Sequence, residues 1–106
     1  MAKFLIQGTY TADGAKGLLK EGGTGRKAAV QKACEGLGGT LDSMYFTLGA
    51  ADVVCICDMP DTVSGVALSL AVNASGAVRI TTTPVLSVEE IDTACKKTVS
   101  YRPAGA

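Results

Sequence analysis

A chain of 106 residues, 47% hydrophobic and 19% charged, makes one small globular domain and excludes a disordered polyelectrolyte. Lys plus Arg (10) balances Asp plus Glu (10), and no sizeable basic block occurs. Nucleic acid and anionic membrane are therefore not expected partners, and the absence of histidine removes the usual general base, metal ligand and haem ligand.

Taken in chain order, residues 3–10 are apolar and β-favouring and predict a first strand. Its apolar run Phe4-Leu5-Ile6 is too short for a signal peptide or a membrane span, so a cytoplasmic protein is expected. Residues 11–23 predict a turn and a short helical piece, capped by Thr11 or Asp13 and ended at Gly22-Gly23. Residues 26–37 predict the first main helix, with Ala29, Val30, Ala33, Cys34 and Leu37 on one face. Gly36, Gly38 and Gly39 stop it. Two extended runs follow, residues 40–48 and 52–58, separated only by Gly49, Ala50 and Ala51, which is a hairpin signal. Val53-Val54-Cys55-Ile56-Cys57 is apolar on both faces of its strand.

Pro60-Asp61 opens a second helix with Asp61 as its cap. No charged side chain lies between Asp61 and Arg79. Val63, Val66, Ala67, Leu70, Ala71 and Ala74 make one stripe, with Leu68 and Val72 off it. Such a helix calls for burial on both sides, and another copy of the chain is the natural second cover. Residues 77–86 predict the last strand, with Val78, Ile80 and Thr82 on one face, Arg79, Thr81 and Thr83 on the other, and Pro84 marking an edge or a strand end. Ser87-Val88-Glu89-Glu90 is a capping box that starts a final helix bearing Val88, Ile91, Cys95 and Val99 on one face. The expected organisation is one domain over residues 1–100 and a tail over 101–106. The order β-α-β-β-α-β-α predicts an α+β, ferredoxin-like domain: an antiparallel four-stranded sheet with helices on one face. Its open face then pairs with a second copy.

Several motif-bearing segments resemble the GYD-domain family, named for a Gly-x-Tyr-Asp turn between the second and third strands. Gly49-Ala50-Ala51-Asp52 stands at that turn. Thr11-Ala12-Asp13-Gly14, Arg26, Leu37-Gly38-Gly39, Met59-Pro60-Asp61, Val78-Arg79-Ile80-Thr81-Thr82 and Ser87-Val88-Glu89-Glu90 are the other matching pieces, so the resemblance covers nearly the whole chain. It departs at the eponymous tyrosine, which is Ala51 here, so no role of that phenol is implied for this chain. The resemblance implies a dimeric α/β barrel. That superfamily includes small monooxygenases, lactone isomerases, haem-dependent enzymes and plain ligand-binding or regulatory modules, and fold analogy does not choose among them.

Four side chains are candidate ligand-binding groups: Arg26, Tyr45, Asp52 and Arg79. Asp52 follows a tight turn and reads either as a general base or as a turn carboxylate bonded to backbone amides. Gly22-Gly23-Thr24-Gly25-Arg26-Lys27 reads either as an anion site made of amides and Arg26 or as a flexible loop; it lacks Walker spacing. Tyr10 and Tyr45 offer phenols to a pocket or pack at strand ends with the hydroxyl in water. Arg79 faces a polar cavity or solvent. Cys55 and Cys57 share a side of one strand, but with no Cys-x-x-Cys they read as small hydrophobes, and no metal site is expected. No catalytic triad, carboxylate pair or dinucleotide fingerprint is present. The expected function is a homo-oligomeric small-molecule-binding or regulatory protein with a sheet–helix pocket and no cofactor. The alternatives are a cofactor-independent monooxygenase- or isomerase-like enzyme, with Asp52 or Tyr45 handling the proton, and a structural assembly subunit.

Overall fold

The computed structural model describes residues 2–106. The elements run β1 (Ala2–Tyr10), α1 (Ala12–Gly36), β2 (Thr40–Phe46), β3 (Val53–Met59), α2 (Thr62–Ala74), β4 (Val78–Pro84) and α3 (Val88–Cys95). One sheet has the order β2-β3-β1-β4, with every neighbouring pair antiparallel. This is the expected α+β, ferredoxin-like arrangement. Among the described residues no helix is long and apolar enough to cross a membrane.

Strand alternation decides what each face carries. On β3, Val53, Cys55, Cys57 and Met59 are buried and alternate with half-buried Val54, Ile56 and Asp58. On β1, Phe4 and Ile6 point to the same side as Cys57 and Cys55, their register partners. These side chains, with Cys34 of α1 and Leu68 of α2, form the core. Each large apolar side chain buried in this way contributes roughly 1.5–3 kcal/mol. The opposite face is open. It carries Leu5, Val54 and Ile56 at its centre and an ion-pair cluster in which Lys3 Nζ lies 2.5 Å from Asp42 Oδ2 and 3.4 Å from Asp58 Oδ2. The carboxylates hold Lys3 above its ordinary pKa, and Lys3 holds Asp42 below its own.

The two helical pieces expected over residues 11–37 form a single run broken at Gly22, whose φ of 77° lies where L side chains rarely go. Gly23, Thr24 and Gly25 are helical rather than a loop. Thr11 caps the start of the run by accepting from the Gly14 amide. The exit is a Schellman turn, with Gly39 N–H donating to Cys34 O and Gly38 N–H donating to Glu35 O.

α2 turns its less bulky side to the sheet. Gly65 and Leu68 are the residues buried against the sheet, with Val72 beside them, while Val63, Val66 and Leu70 face outward. The cause is close approach: a Cβ at Gly65 would stand 2.5 Å from the Phe4 ring. The small side lets helix and sheet meet, and the bulkier stripe is left outside. The expected caps are present. Asp61 accepts from Ser64 N at 2.7 Å, which holds its carboxyl below the usual range, and Ser87 and Glu90 close a reciprocal box at the start of α3.

Both sheet edges are modified. Near the end of α2, the Asn73 amide reaches the outer edge of β4, where Oδ1 accepts from Ile80 N at 2.8 Å and Nδ2 donates to Ile80 O at 3.3 Å. At the other edge a bulge in β2 falls between Leu41 and Ser43. The chain beyond β4 leaves the body: its radius of gyration is 16.9 Å, against about 13 Å for a compact domain of this length. All of Leu86 to Ala106, including the expected tail, is exposed.

Candidate functional site

A cavity of about 420 Å³ lies between the sheet and the two helices that cover it. Ile6, Cys55 and Val53 make its sheet side, Ala29, Val30 and Ala33 of α1 one wall, and Leu68, Ala71 and Val72 of α2 the other. Alanines at these wall positions are what leave the space: larger side chains on the same faces would close it. Most of the lining is apolar; at one end Glu21 and Arg26 pair beside Tyr10, and Asp13 and Ser75 are its other polar residues.

The break in α1 builds that end. Glu21 precedes Gly22 and Arg26 follows it, and Arg26 Nη1 stands 3.4 Å from Glu21 Oε2. Arg26 Nε is buried with no hydrogen-bond partner. A buried donor left unpaired is costly, so this N–H has a free place for an acceptor. Tyr10, at the end of β1, shares the site. Burial pushes its phenol above the ordinary value, and Arg26 opposes that shift. The phenol is therefore a neutral donor at physiological pH.

Asp52 does not line this cavity. Its Oδ2 accepts from the Tyr10 amide at 2.9 Å, and its own N–H donates to Gly8 O at 2.7 Å. The carboxylate thus ties the start of β3 to the end of β1 and holds the strand end from which Tyr10 projects. The turn before it is closed by Gly49 N–H on Ala51 O at 2.8 Å and Thr47 Oγ1 on the same oxygen at 2.5 Å. Tyr45 pairs with Val54 and is 69% exposed on the open face of the sheet. Arg79 is on that face too, at a wide, shallow depression with Gln7, Thr9, Ala51 and Thr81. Of the four expected ligand groups, then, Arg26 is in the cavity, Asp52 braces its edge from outside, and Tyr45 and Arg79 stand on the opposite side of the sheet.

The GYD-domain family model matches residues 4–95. The chain belongs to the GYD-domain family. No curated protein and no solved structure matches it. In this GYD domain the eponymous turn does not open into the sheet–helix cavity; its aspartate reaches back to the strand that supplies Tyr10. Ala51, in the tyrosine's place, borders the shallow depression on the open face.

The cysteines are free. Cys57 hydrogen-bonds to Cys34, which raises its own pKa and lowers that of Cys34, while burial pushes the Cys55 thiol up to about 11. Among the described residues no group of three or more His, Cys, Asp or Glu side chains is placed to hold a metal ion. Sequence context does not single out Glu21. Its signal, an acidic residue just before a glycine pair and five positions ahead of an arginine, is weak without knowing that the helix breaks between them.

Proposed function

We propose that this GYD domain is a cytoplasmic homo-oligomer that binds a small, largely apolar molecule in its sheet–helix cavity, as a binding or regulatory protein. The observation that carries this reading is an apolar cavity of about 420 Å³ ending in an unpartnered, buried Arg26 Nε–H beside a phenol. Binding sites for small molecules have this size and this balance of apolar wall to few polar groups. Arg26 and Tyr10 both donate there, so the ligand presents an acceptor such as a carbonyl or carboxylate oxygen to that end. Glu21 holds Arg26 in place rather than competing for the ligand. Tyr45 and Arg79, on the open sheet face with Leu5, Val54 and Ile56, belong to the contact between copies, where a ring and a planar cation suit an interface. An oxygenase or isomerase reading finds less support. Asp52 spends its carboxylate on the Tyr10 amide, and Tyr45 is on the wrong side of the sheet to reach the cavity.

Native mass spectrometry of protein purified gently from its own host tests this. An oligomer carrying one defined extra mass per chain is expected, and that mass disappears in Ala29→Trp, which fills the cavity, while the oligomer remains. A parent protein with no extra mass, or a Trp variant that keeps it, overturns the cavity as the site.

A further inference from the structure

The C-terminal arm is the part of the chain that its own fold leaves uncovered. Every side chain of α3 is exposed, and the helix does not pack on its own α2. Along it Val88, Ile91 and Cys95 recur at i, i+3 and i+7, an apolar stripe that faces water. The outer side of α2 carries the same spacing in Val63, Val66 and Leu70, which are 77%, 49% and 66% exposed.

The two stripes are matched in length and in chemistry. No charged residue lies between Asp61 and Arg79, so the α2 stripe is covered without removing a charge from water. The open sheet face is the other exposed apolar surface, but Lys3, Asp42, Asp58 and Arg79 lie on or around it, and an arm laid there dehydrates some of them. At the root of the arm Val85 donates its N–H to Lys3 O at 3.0 Å. This continues the course of β4 and carries α3 off the end of the sheet.

The surface area states what the arm lacks. The chain exposes 7222 Å², where a compact monomer of this mass exposes about 5,500 Å². The difference, roughly 1,700 Å² on each chain, is about twice what one partner of an ordinary interface buries, enough for a chain that both gives an arm and receives one. We propose that α3 of one copy lays its Val88–Ile91–Cys95 stripe on the Val63–Val66–Leu70 stripe of α2 in a second copy, so that chains exchange C-terminal arms. The occupant is this chain because the partner surface of matching spacing is already present on it, and a reciprocal exchange closes on itself. The exchange is independent of the cavity and of any molecule bound there.

Cys95 makes the test direct, since it is the one exposed cysteine of the four. In full-length Val66→Cys protein, mild oxidation is expected to give a disulfide-linked dimer on a non-reducing gel. Its yield should be at least about tenfold above that of the parent chain, and adding Cys95→Ser should remove it. Deleting residues 87–106 is expected at least to halve the mass measured by sedimentation while the melting transition persists. A bridge that joins the introduced thiol to Cys95 within one chain, no bridge at all, or a truncated protein that keeps the parent's mass overturns the exchange.

Discussion

The two faces of the sheet are made from the same strands and differ in nearly everything else. Under the helices, Phe4, Ile6, Cys55, Cys57 and Met59 interlock with almost no exposed surface. One residue along the same strands, Leu5, Val54 and Ile56 are only partly covered, with an ion-pair cluster beside them. The difference shows that β3 is apolar on both faces for two separate reasons. One face stabilises the single chain, and the other is the surface proposed to meet a second copy.

Adjacent positions on β1 separate these roles. Phe4→Ala empties a site that is 2% exposed and removes the ring against which Gly65 packs, so it is expected to cost about 3–5 kcal/mol in urea unfolding. Leu5→Asp, one residue on and facing the other way, is expected to leave the circular dichroism spectrum intact and lower the assembly mass in sedimentation. If both variants unfold the chain, the two faces are not separable.

A second contrast sets the buried thiols against the exposed one. An alkylating reagent at neutral pH is expected to label Cys95, slowly in the arm-exchanged assembly and quickly in the dissociated chain, with Cys34, Cys55 and Cys57 reacting only on unfolding. The raised pKa of Cys55 also carries a stability consequence. The folded state favours its neutral thiol, so this contribution is whole below the ordinary value of 9.0 and fades as pH climbs from there toward the folded value of about 11. Melting temperature is expected to fall across that range, and Cys55→Ala should flatten the slope. The smallest effect is at the cap. Thr11 bonds the Gly14 amide and, through its hydroxyl, the carbonyls of Gly76 and Ala77, so Thr11→Ala is expected to cost about 1 kcal/mol in the same unfolding measurement.

Much of the fold is legible in the sequence because its boundaries are chemical. Ser87 with Glu90, Asp61, Thr11 and the Gly38-Gly39 exit mark helix ends by donors and acceptors that act locally. The alternation of Val78, Ile80 and Thr82 against Arg79, Thr81 and Thr83 likewise sorts the two faces of β4. The inward side of α2 is not legible in that way. In a helix without charges, hydrophobicity no longer distinguishes core from surface. The choice falls to steric fit between Gly65 and Phe4, two residues at opposite ends of the βαββα run that no local pattern connects. Tyr45 illustrates a second limit. The bulge between Leu41 and Ser43 shifts the alternation of β2, so Leu41 faces the helices while Tyr45 faces away, and nothing in Asp42 announces it. Arg26 is legible as the charged group following a glycine-rich segment. Its neighbour Glu21 is not, since their meeting depends on the left-handed turn at Gly22.

The Asn73 amide has a consequence for the behaviour of this protein in a crowded solution. By bonding both Ile80 N and Ile80 O, it occupies the polar groups that a strand from another molecule would use to extend the sheet along β4. With Pro84 lacking an N–H at the end of that strand and a bulge interrupting β2 on the far side, neither margin offers an unbroken template. A chain with this much uncovered apolar surface is thereby kept from growing fibres edge to edge, and the association proposed for it runs through its faces instead.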